Sequence, residues 1–584
     1  MRVFVDLNWF FKKHWRAYAS GIAVLAVVSF LSLIPPRVIG EVVDGIADAS
    51  LTPSALVNAV GLILGIAVVL YILRFLWRLL IFGTSLKLAR QIRFDLYRHF
   101  TNMPASFYHK RTTGDLMAVS TNDVRAVQAT AGEGVLTIVD ACLLGGMVVV
   151  TMAVSISWQL TFITLLPLPF MALLTSYYGK LLHRRFAGAQ AAFSVLNNTV
   201  QESIGGMKVT KAFGREQEEV SRFAKTSAHV VEKNMAVARV DALFDPTITI
   251  VIGSCYLLAV AVGSLFVADG AMTIGQLTSF FVYLGLLIWP MLAIGMFFNV
   301  VERGHASYDR IRAVLNEKSD IIEREQALDL DIQGELDVRI DAFRYSPDGA
   351  NVLENVHFHL PKGGTLGIVG RTGSGKTTLL SLLQRTIDVT EGDILLDGHS
   401  VRAYQLSCIK DAFGLVPQEH FLFSATIAEN VAFAKPEASI AEIVAVCKLA
   451  QVHEDILRFP AGYDTIVGER GVTLSGGQKQ RISIARTLLS DPTLLVLDDA
   501  LSAVDAKTEE AILQALQTEK RERTIIMTAH RLSAISHASL ILVLADGKVS
   551  QSGTHAELMQ QGGWYKEMYE RQQLESAVEQ GGNE

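Results

Sequence analysis

The first three hundred residues alternate between long apolar stretches and shorter polar ones. Each apolar stretch approaches or exceeds the roughly 20 residues that an α-helix needs to cross the hydrocarbon core of a bilayer. The pattern therefore predicts six membrane-spanning helices, with the third and fourth joined as a hairpin by the short turn "SISW". The predicted spans are 18–46, 55–82, 134–156, 159–179, 246–268 and 274–301.

The positions of lysine and arginine predict how these spans are oriented. The chain holds neither residue type between Arg125 and Lys180, whereas the segments 87–125 and 180–239 on either side of this gap are rich in both. By the positive-inside rule, these two segments and both termini are expected on the cytoplasmic side. The helical patterning of the two segments predicts that the spans continue as helices beyond the bilayer; solvated helical loops are the alternative.

Charged side chains also occur within or beside several spans. Charges at membrane depth are costly and usually face a water-filled cavity or a charged partner. Two interpretations stay open: these side chains line a translocation cavity, or they lie near the interfaces and brace one span against another. The residues are Arg37, Arg74, Arg78, Asp140 and Asp245.

The composition changes after about Arg303. A charged linker without an apolar span leads into alternating strand-like and helical segments, a pattern typical of a soluble α/β domain. The predicted organisation is a membrane domain over 1–320, a linker over 321–334, an α/β domain over 335–573 and a loose tail over 574–584.

Overall composition fits a chain that lies partly in lipid. Of the 584 residues, 50% are hydrophobic and 19% are charged, and the mean hydropathy is +0.33. The net charge of −6 gives no indication of nucleic-acid binding. The N-terminal segment, with Lys12, Lys13 and Arg16 among aromatic residues, predicts an amphipathic helix in contact with membrane lipids rather than a signal peptide.

The segment "GIVGRTGSGKTTLL" predicts a phosphate-binding loop. It follows the apolar run "TLGIV" and precedes a helix, which is the context that this motif requires. Glycines let the backbone N–H groups turn toward phosphates, and the helix N-terminus favours negative charge. Lys376 is expected to reach the β- and γ-phosphates of ATP, and the Thr377 hydroxyl to bind Mg²⁺. The predicted ATP-binding loop comprises Gly370, Arg371, Thr372, Gly373, Ser374, Gly375, Lys376, Thr377 and Thr378.

Four further motifs follow this loop in order: "LVPQEHFLFS" with Gln418, "LSGGQ" from Leu474 to Gln478, "LLVLDD" with Asp498, and "TAHRL" with His530. Together they resemble the nucleotide-binding domain of ATP-binding-cassette (ABC) transporters. Six spans followed by one such domain is the architecture of exporter half-transporters. The resemblance implies an all-α membrane domain of six transmembrane helices with long cytoplasmic extensions, fused to an α/β P-loop nucleotide-binding domain, in a bacterial inner membrane.

The resemblance also implies a role for each matching residue. Tyr345 would stack on adenine, Gln418 would contact Mg²⁺, and Asp498 would organise that ion together with Thr377. His530 would contact the γ-phosphate, and Asp505 would communicate between two ATP sites. "GERG", residues 468–471, would contact cytoplasmic helices.

The signature motif implies a dimer. In the family, each ATP is clamped between one domain's phosphate loop and the other domain's signature helix, here Ser475, Gly476, Gly477 and Gln478. A chain with one nucleotide-binding domain therefore implies a second half-transporter as its partner. The segments 111–124 and 210–223 resemble the coupling helices that dock on nucleotide-binding domains.

Asp499 departs from the family pattern, which has glutamate at this position to polarise the attacking water. Aspartate retracts the carboxylate by roughly 1.5 Å, the length of one carbon–carbon bond. A displacement of about 1 Å can cost on the order of a hundredfold in rate. The site on this chain is thus expected to bind ATP well and to hydrolyse it poorly. The resemblance to heteromeric exporters implies that its signature motif completes a competent site on a partner chain that carries the glutamate.

These features predict an ATPase that exports amphipathic small molecules as one half of a heterodimer. Two alternative functions stay open: a homodimeric lipid or lipopeptide flippase, and a regulatory or channel-like membrane ATPase. For Asp499 itself, the alternative is that aspartate tolerates the role in a homodimer with two slow sites. A neighbouring reading frame for a half-transporter with glutamate after its aspartate would favour the heterodimer.

Overall fold

The computed structural model describes residues 2–324, 326–468, 474–518 and 523–581. The chain divides into two compact units, one comprising 1–101 and 113–317, the other comprising 102–112 and 318–584. The short segment 102–112 therefore belongs with the second unit, although the chain around it belongs to the first.

The first unit consists of helices. Four π-helical segments, Val119–Asp123, Thr130–Gly134, Ala141–Gly145 and Ala153–Ser157, connect α7 to α11. The α-helices of this part of the chain are α1 Arg2–Asp6, α2 Asn8–Lys13, α3 Trp15–Leu31, α4 Ile34–Ala47, α5 Pro53–Asn102, α6 Ala105–Lys110, α7 Thr113–Ala118, α8 Val124–Ala129, α9 Val135–Asp140, α10 Gly146–Met152, α11 Trp158–Leu165, α12 Leu168–Gly205, α13 Met207–Ala212, α14 Glu216–Asp241, α15 Phe244–Ala268 and α16 Ile274–Leu315.

Five helical runs within the described residues are long and apolar enough to cross a membrane: Trp15–Ala47, Pro53–Asn102, Thr113–Leu165, Glu216–Ala268 and Ile274–Leu315. The predicted fourth span, 159–179, is not one of them. The helix ends at Leu165 and a new one begins at Leu168, because Pro167 has no N–H to continue the hydrogen-bond ladder. Six spans are predicted, and five helical runs among the described residues meet this criterion of length and composition.

Two short helices lie near the segments that resemble coupling helices, α6 just before the first and α13 at the start of the second. The helix α6 precedes the predicted segment 111–124, and its side chains Ser106 and Lys110 contact Asp320 of the same unit at 3.2 and 3.4 Å. Residues from Thr113 onward already belong to the next long helical run. The second short helix, α13, overlaps only the start of 210–223.

The second unit contains two sheets. Its helices and strands are β1 Leu336–Phe343, β2 Leu353–Leu360, β3 Thr365–Gly370, α17 Lys376–Leu383, β4 Glu391–Leu396, β5 His399–Ser400, α18 Leu406–Ala412, β6 Phe413–Val416, α19 Ile427–Ala432, α20 Ile440–Leu449, α21 His453–Leu457, α22 Gly476–Leu489, β7 Leu494–Asp498, α23 Ala506–Thr518, β8 Thr524–Thr528, β9 Leu540–Ala545, β10 Lys548–Gly553, α24 His555–Gln561 and α25 Trp564–Gly581. The strand orders are β2-β1-β4-β5, all antiparallel, and β10-β9-β3-β8-β7-β6.

The larger sheet is parallel from β9 to β6 and antiparallel only at β10. Alternate residues of its central strands enter two hydrophobic clusters, so that Leu495 and Leu497 pack in one and Leu494 and Val496 in the other. This explains why β7 is apolar at every position before Asp498, since parallel strands are buried on both faces.

The C-terminal segment is more regular than predicted. The helix α25 continues through Gly581, whereas the sequence analysis expects a loose tail from Leu574 onward. The residues LESAVEQ contain no proline or glycine and several good helix formers, so the helix extends until Gly581.

Candidate ATP-binding site

The candidate site lies where three neighbouring parallel strands end. In the sheet, β8 separates β3 from β7, with Ile368 paired to Thr528 and Thr528 paired to Asp498. The carboxyl ends of parallel strands meet at one edge of a sheet, which is where α/β folds bind ligands. The phosphate loop after β3 and the two aspartates at the end of β7 are therefore neighbours despite being about 120 residues apart in sequence.

The phosphate loop has the backbone that its glycines make possible. Gly370 has φ +150°, and a Cβ there would lie 2.2 Å from the carbonyl oxygen of Leu544. Gly375, just before α17, is left-handed at φ +97°. The Lys376 ammonium donates to the carbonyl oxygens of Gly370 at 2.9 Å and Arg371 at 3.1 Å. It is thereby held across the loop at the helix N-terminus.

The electrostatic setting of Lys376 suits a phosphate contact. Burial lowers the pKa of its ammonium from the ordinary value, and the negative charges of Asp498 and Asp499 oppose that shift. The ammonium is therefore partly desolvated beside two carboxylates. Attraction between opposite charges is stronger in such a setting than in open water.

A cavity of about 250 Å³ brings ten of the predicted residues together. It includes the three predicted Mg²⁺ ligands, which offer a hydroxyl, an amide and a carboxylate oxygen, the donors that this hard cation prefers. Asp498 is 8% exposed and receives the Thr528 hydroxyl at 2.8 Å on one oxygen, Oδ1. Predicted residues lining the cavity are Thr372, Gly373, Gly375, Lys376, Thr377, Thr378, Gln418, Asp498, Asp499 and His530.

Asp499 is held mainly by its backbone. Its φ of +49° is left-handed, a conformation that aspartate tolerates better than most residues do. Its N–H donates to Thr528 Oγ1 at 2.8 Å. Its carboxylate is 14% exposed and lies 3.8 Å from Nε2 of His530. The short side chain thus sits at the cavity wall beside the histidine.

Tyr345 contacts the end of the phosphate loop through its hydroxyl group. Its hydroxyl is 2.9 Å from Oγ1 of Thr378, and its ring packs edge-on against Phe343 with centroids 5.0 Å apart. The side chain is nevertheless 60% exposed. A fixed, exposed aromatic ring next to a phosphate loop provides a surface on which a base can stack.

The signature motif is built separately from the cavity. Ser475 caps α22 through a capping box, in which Gln478 N–H donates to Ser475 Oγ at 3.3 Å and Ser475 N–H donates to Gln478 Oε1 at 3.1 Å. Gly476 and Gly477 form the first turn. None of these four residues lines the described cavity, so the chain carries two distinct helix ends that can receive phosphate.

The remaining predicted positions are placed as follows. Asp505 precedes α23 and accepts from Thr508 N–H at 3.0 Å and from its hydroxyl at 2.8 Å. These hydrogen bonds lower the pKa of the Asp505 carboxyl. Of the predicted segment 468–471, residues 469–471 lie outside the described part of the chain.

Several residues of this region are absent from the sequence-based prediction. Thr528 bridges Asp498 and Asp499, and it could have been suspected only from its position two residues before His530. Glu509 is 7% exposed and accepts from Arg531 Nη1 at 2.9 Å. Burial raises the pKa of this carboxyl, Arg531 opposes the shift, and the charge of Asp499 adds to it.

Comparison with known proteins supports the same assignment. The family described as "ABC transporter transmembrane region" matches residues 19–291, and the family described as "ABC transporter" matches residues 353–502. The chain belongs to the ABC transporter family. It is an exporter half-transporter, with one transmembrane region and one ATPase domain, as its motifs predict.

The similar proteins cover nearly the whole chain. "Multidrug resistance-like ATP-binding protein MdlA" of Escherichia coli (strain K12) is 50% identical over 99% of this chain and 98% of its own length. "Probable multidrug resistance ABC transporter ATP-binding/permease protein YheI" of Bacillus subtilis (strain 168) is 41% identical over 99% of both chains. A solved structure described as a bacterial Atm1-family ABC exporter with ATP bound is 26% identical, with a TM-score of 0.79 over 95% of this chain and 98% of that chain.

Proposed function

We propose that this chain is one half of a heterodimeric exporter in the bacterial inner membrane, with both termini cytoplasmic. Its cargo would be amphipathic compounds, as suggested by the multidrug-resistance names of the relatives. The chain's own ATP site would be slow, and its signature helix would complete the fast site of a different half-transporter. Asp499 is the observation that carries this proposal, because it is the one predicted catalytic group that departs from the family pattern.

The roles of the cavity residues follow from their chemistry. Lys376 and the N–H groups of the phosphate loop bind the phosphates, and Tyr345 stacks on the base. Thr377, Gln418 and Asp498 would hold Mg²⁺, which neutralises phosphate charge when bound. His530 and Asp499 face the γ-phosphate end, where Asp499 orients water from about 1.5 Å farther back than glutamate would.

The exposed apolar surface of α13 also favours a dimer. Val209 is 61% exposed and Phe213, directly after the helix, is 76% exposed. Exposed apolar side chains grouped on a short helix are typical of a protein interface. This surface is a candidate docking site for the partner chain.

The test compares the two ends of the ATPase domain in the purified native complex. Gly477→Asp and Ser475→Ala should nearly abolish ATP hydrolysis, because that helix end stabilises the γ-phosphate hydrolysed on the partner. Asp499→Ala should lower it far less, since the carboxylate it removes is already too short. Ser439→Ala is the matched control: it removes the serine of the capping box of α20, outside the signature motif, and should leave turnover nearly unchanged.

A homodimer makes the opposite prediction. In that assembly, Asp499→Ala alters both sites and stops hydrolysis. A loss of ATPase activity in Asp499→Ala as large as in the signature variants would therefore contradict the heterodimer.

A further inference from the structure

We propose that Gln480 is a positioning residue that couples the nucleotide site of this chain to the signature helix serving the partner's site. The inference rests on the proposed function, because it assumes that the two ATP sites of the complex differ. It assigns a role to a side chain that touches neither nucleotide.

Gln480 joins the signature helix α22 to both ends of the turn 499–503, which follows β7. It lies on α22, five residues after Ser475, and its side chain is fully buried. Its Nε2 donates to the carbonyl oxygen of Asp499 at 3.3 Å, and its Oε1 accepts from Ala503 N–H at 3.0 Å. The amide has only one orientation that satisfies both contacts, since a carbonyl oxygen can only accept and a backbone N–H can only donate.

These contacts complete a continuous hydrogen-bonded path. The Thr528 hydroxyl donates to Asp498 and accepts from Asp499 N–H, both at 2.8 Å. Gln480 then connects Asp499 to Ala503. The path therefore begins at the carboxylate proposed to organise Mg²⁺.

The path ends at the signature turn. A Cβ placed on Gly477 would lie only 3.0 Å from the carbonyl oxygen of Ala503, so this peptide packs directly on the glycine. A shift of Asp499 on nucleotide binding would move Ala503 through the rigid amide of Gln480. Because closely packed groups cannot absorb such a shift, it would be passed to Gly477.

The physical requirement explains why a buried glutamine suits this position. A buried polar amide is costly unless its donor and acceptor are both satisfied, and here each has a partner. Both ends of the turn 499–503 must therefore keep their distance from α22 for both hydrogen bonds to persist. Removing the amide would free this turn to move independently of the signature helix.

A double-mutant cycle in the native complex tests the coupling. Lys376→Ala removes nucleotide from this chain's own site, and we expect it to lower ATP turnover at the partner's site by about fivefold or more, the usual size of coupling between sites. In the background of Gln480→Met, which has similar volume but makes neither hydrogen bond, the same change should have almost no further effect. Gln514→Met, an exposed glutamine on α23, is the matched control and should leave the effect of Lys376→Ala intact.

Gln480→Glu keeps one of the two hydrogen bonds and removes the other. Its carboxylate can still accept from Ala503 N–H but repels the carbonyl oxygen of Asp499, so it should uncouple the sites as Gln480→Met does. A purely structural role would instead lower the melting temperature and leave the effect of Lys376→Ala unchanged. The proposal would be overturned if Lys376→Ala lowered ATP turnover equally in the unaltered chain and in the Gln480 variants, or if it had no effect on turnover in the unaltered chain.

Hydrogen exchange provides a second measurement without altering Gln480. ATP should slow amide exchange in the segment containing Ala503 and at the start of α22 more in the unaltered complex than in the Lys376→Ala complex, where only the partner's nucleotide is bound. Identical exchange in the two complexes would overturn the coupling. The proposed function is tested separately by Asp499→Ala. If Asp499→Ala lowers ATP hydrolysis only slightly, while the effects of Lys376→Ala and Gln480→Met are simply additive, only the coupling role of Gln480 is rejected.

Discussion

At the scale of single residues, the site depends on a lysine balanced against two carboxylates. The Lys376 ammonium spans the phosphate loop through two carbonyl oxygens, and Asp498 and Asp499 are the charges that oppose the effect of its burial. Binding of a nucleotide with its metal would exchange these partners for phosphate oxygens. Lys376 is thus positioned by the loop before any phosphate is present.

Lys376→Ala should weaken nucleotide binding at this chain's own site. A hydrogen bond to a charged group contributes about 1.5–3 kcal/mol, so we expect a loss of affinity of about 10- to 150-fold. Titration of the complex with a fluorescent ATP analogue would show one high-affinity site instead of two. Lys410→Ala, an exposed lysine on α18, is the control; two unchanged sites in Lys376→Ala would refute the assignment of the loop.

Tyr345 gives a second prediction at this scale. Tyr345→Ala should weaken ATP binding by about 5- to 150-fold, since stacking of a base on an aromatic ring contributes about 1–3 kcal/mol. Tyr345→Phe keeps the ring and loses only the hydroxyl contact with Thr378, so it should retain most of the affinity. Equal losses in both variants, measured by calorimetry with ATP, would show that the hydroxyl and not the ring matters.

The candidate site could be predicted from sequence where motifs specify both residue type and spacing. The phosphate loop, Gln418, Asp498 and His530 converge on one cavity because each follows or lies near the end of a strand in the same sheet. Gln480 could not be predicted, and Thr528 could be suspected only from its position near His530, because their roles depend on which groups approach them in the fold. The left-handed backbone of Asp499 likewise has no signature in the sequence.

At the scale of helices and strands, composition predicted most segments but not their interruptions. The stretch 159–179 is apolar enough to be a span, yet Pro167 divides it between α11 and α12. Hydropathy averages over a window and does not register a single missing N–H. The coupling segment 111–124 is assigned by resemblance, and the short helix α6 just before it could not be grouped with the second unit from sequence, since periodicity does not show with which unit a helix packs.

Capping boxes define several helix starts in the ATPase domain, and one of them predicts a pH dependence. At the start of α20, Glu442 accepts from Ser439 and pairs with Lys435 at 2.7 Å. The Lys435 hydrogen bond and then the Ser439 contacts lower the pKa of Glu442 from 4.5 to about 2. Because the pKa is lower in the folded state, the charged carboxylate stabilises the fold above about pH 4.5, and this stabilisation is lost as the pH falls toward about 2.

Glu442→Gln should therefore lower the melting temperature slightly at pH 7, and the difference from the unaltered chain should shrink as the pH falls below about 4.5. Glu557→Gln is the matched control, because Glu557 occupies the capping box of α24 and its pKa is lowered by Thr554 alone. Its effect should be smaller at pH 7. A difference for Glu442→Gln that stays constant with pH, in thermal-shift measurements on the purified transporter, would contradict the role of the ion pair.

At the scale of the whole molecule, the order of the two units was predictable because apolar length and nucleotide motifs are properties of long segments. How the chain assembles with a second half-transporter was harder to predict from sequence, since this chain does not contain the partner's residues. What the chain does show is an asymmetry within its own ATPase domain. Its signature motif at the start of α22 is complete, whereas the side chain of Asp499 is one methylene shorter than the glutamate of the family pattern.

Asp499→Glu tests this asymmetry in the working transporter. If this chain's site is slow, as proposed, the added methylene should let it turn over, so that ATP hydrolysis rises by up to about twofold as a second site becomes active. Transport should not rise in proportion, because a site that now empties no longer keeps the dimer closed during the partner's cycle. The measurement is ATP hydrolysed per molecule of a fluorescent amphipathic cation moved into inverted proteoliposomes. The control is Asp411→Glu, the same change at an exposed position on α18, which should leave the ratio of ATP hydrolysed to substrate moved unaltered. If hydrolysis and transport rise together in the Asp499→Glu complex, both sites drive export equally.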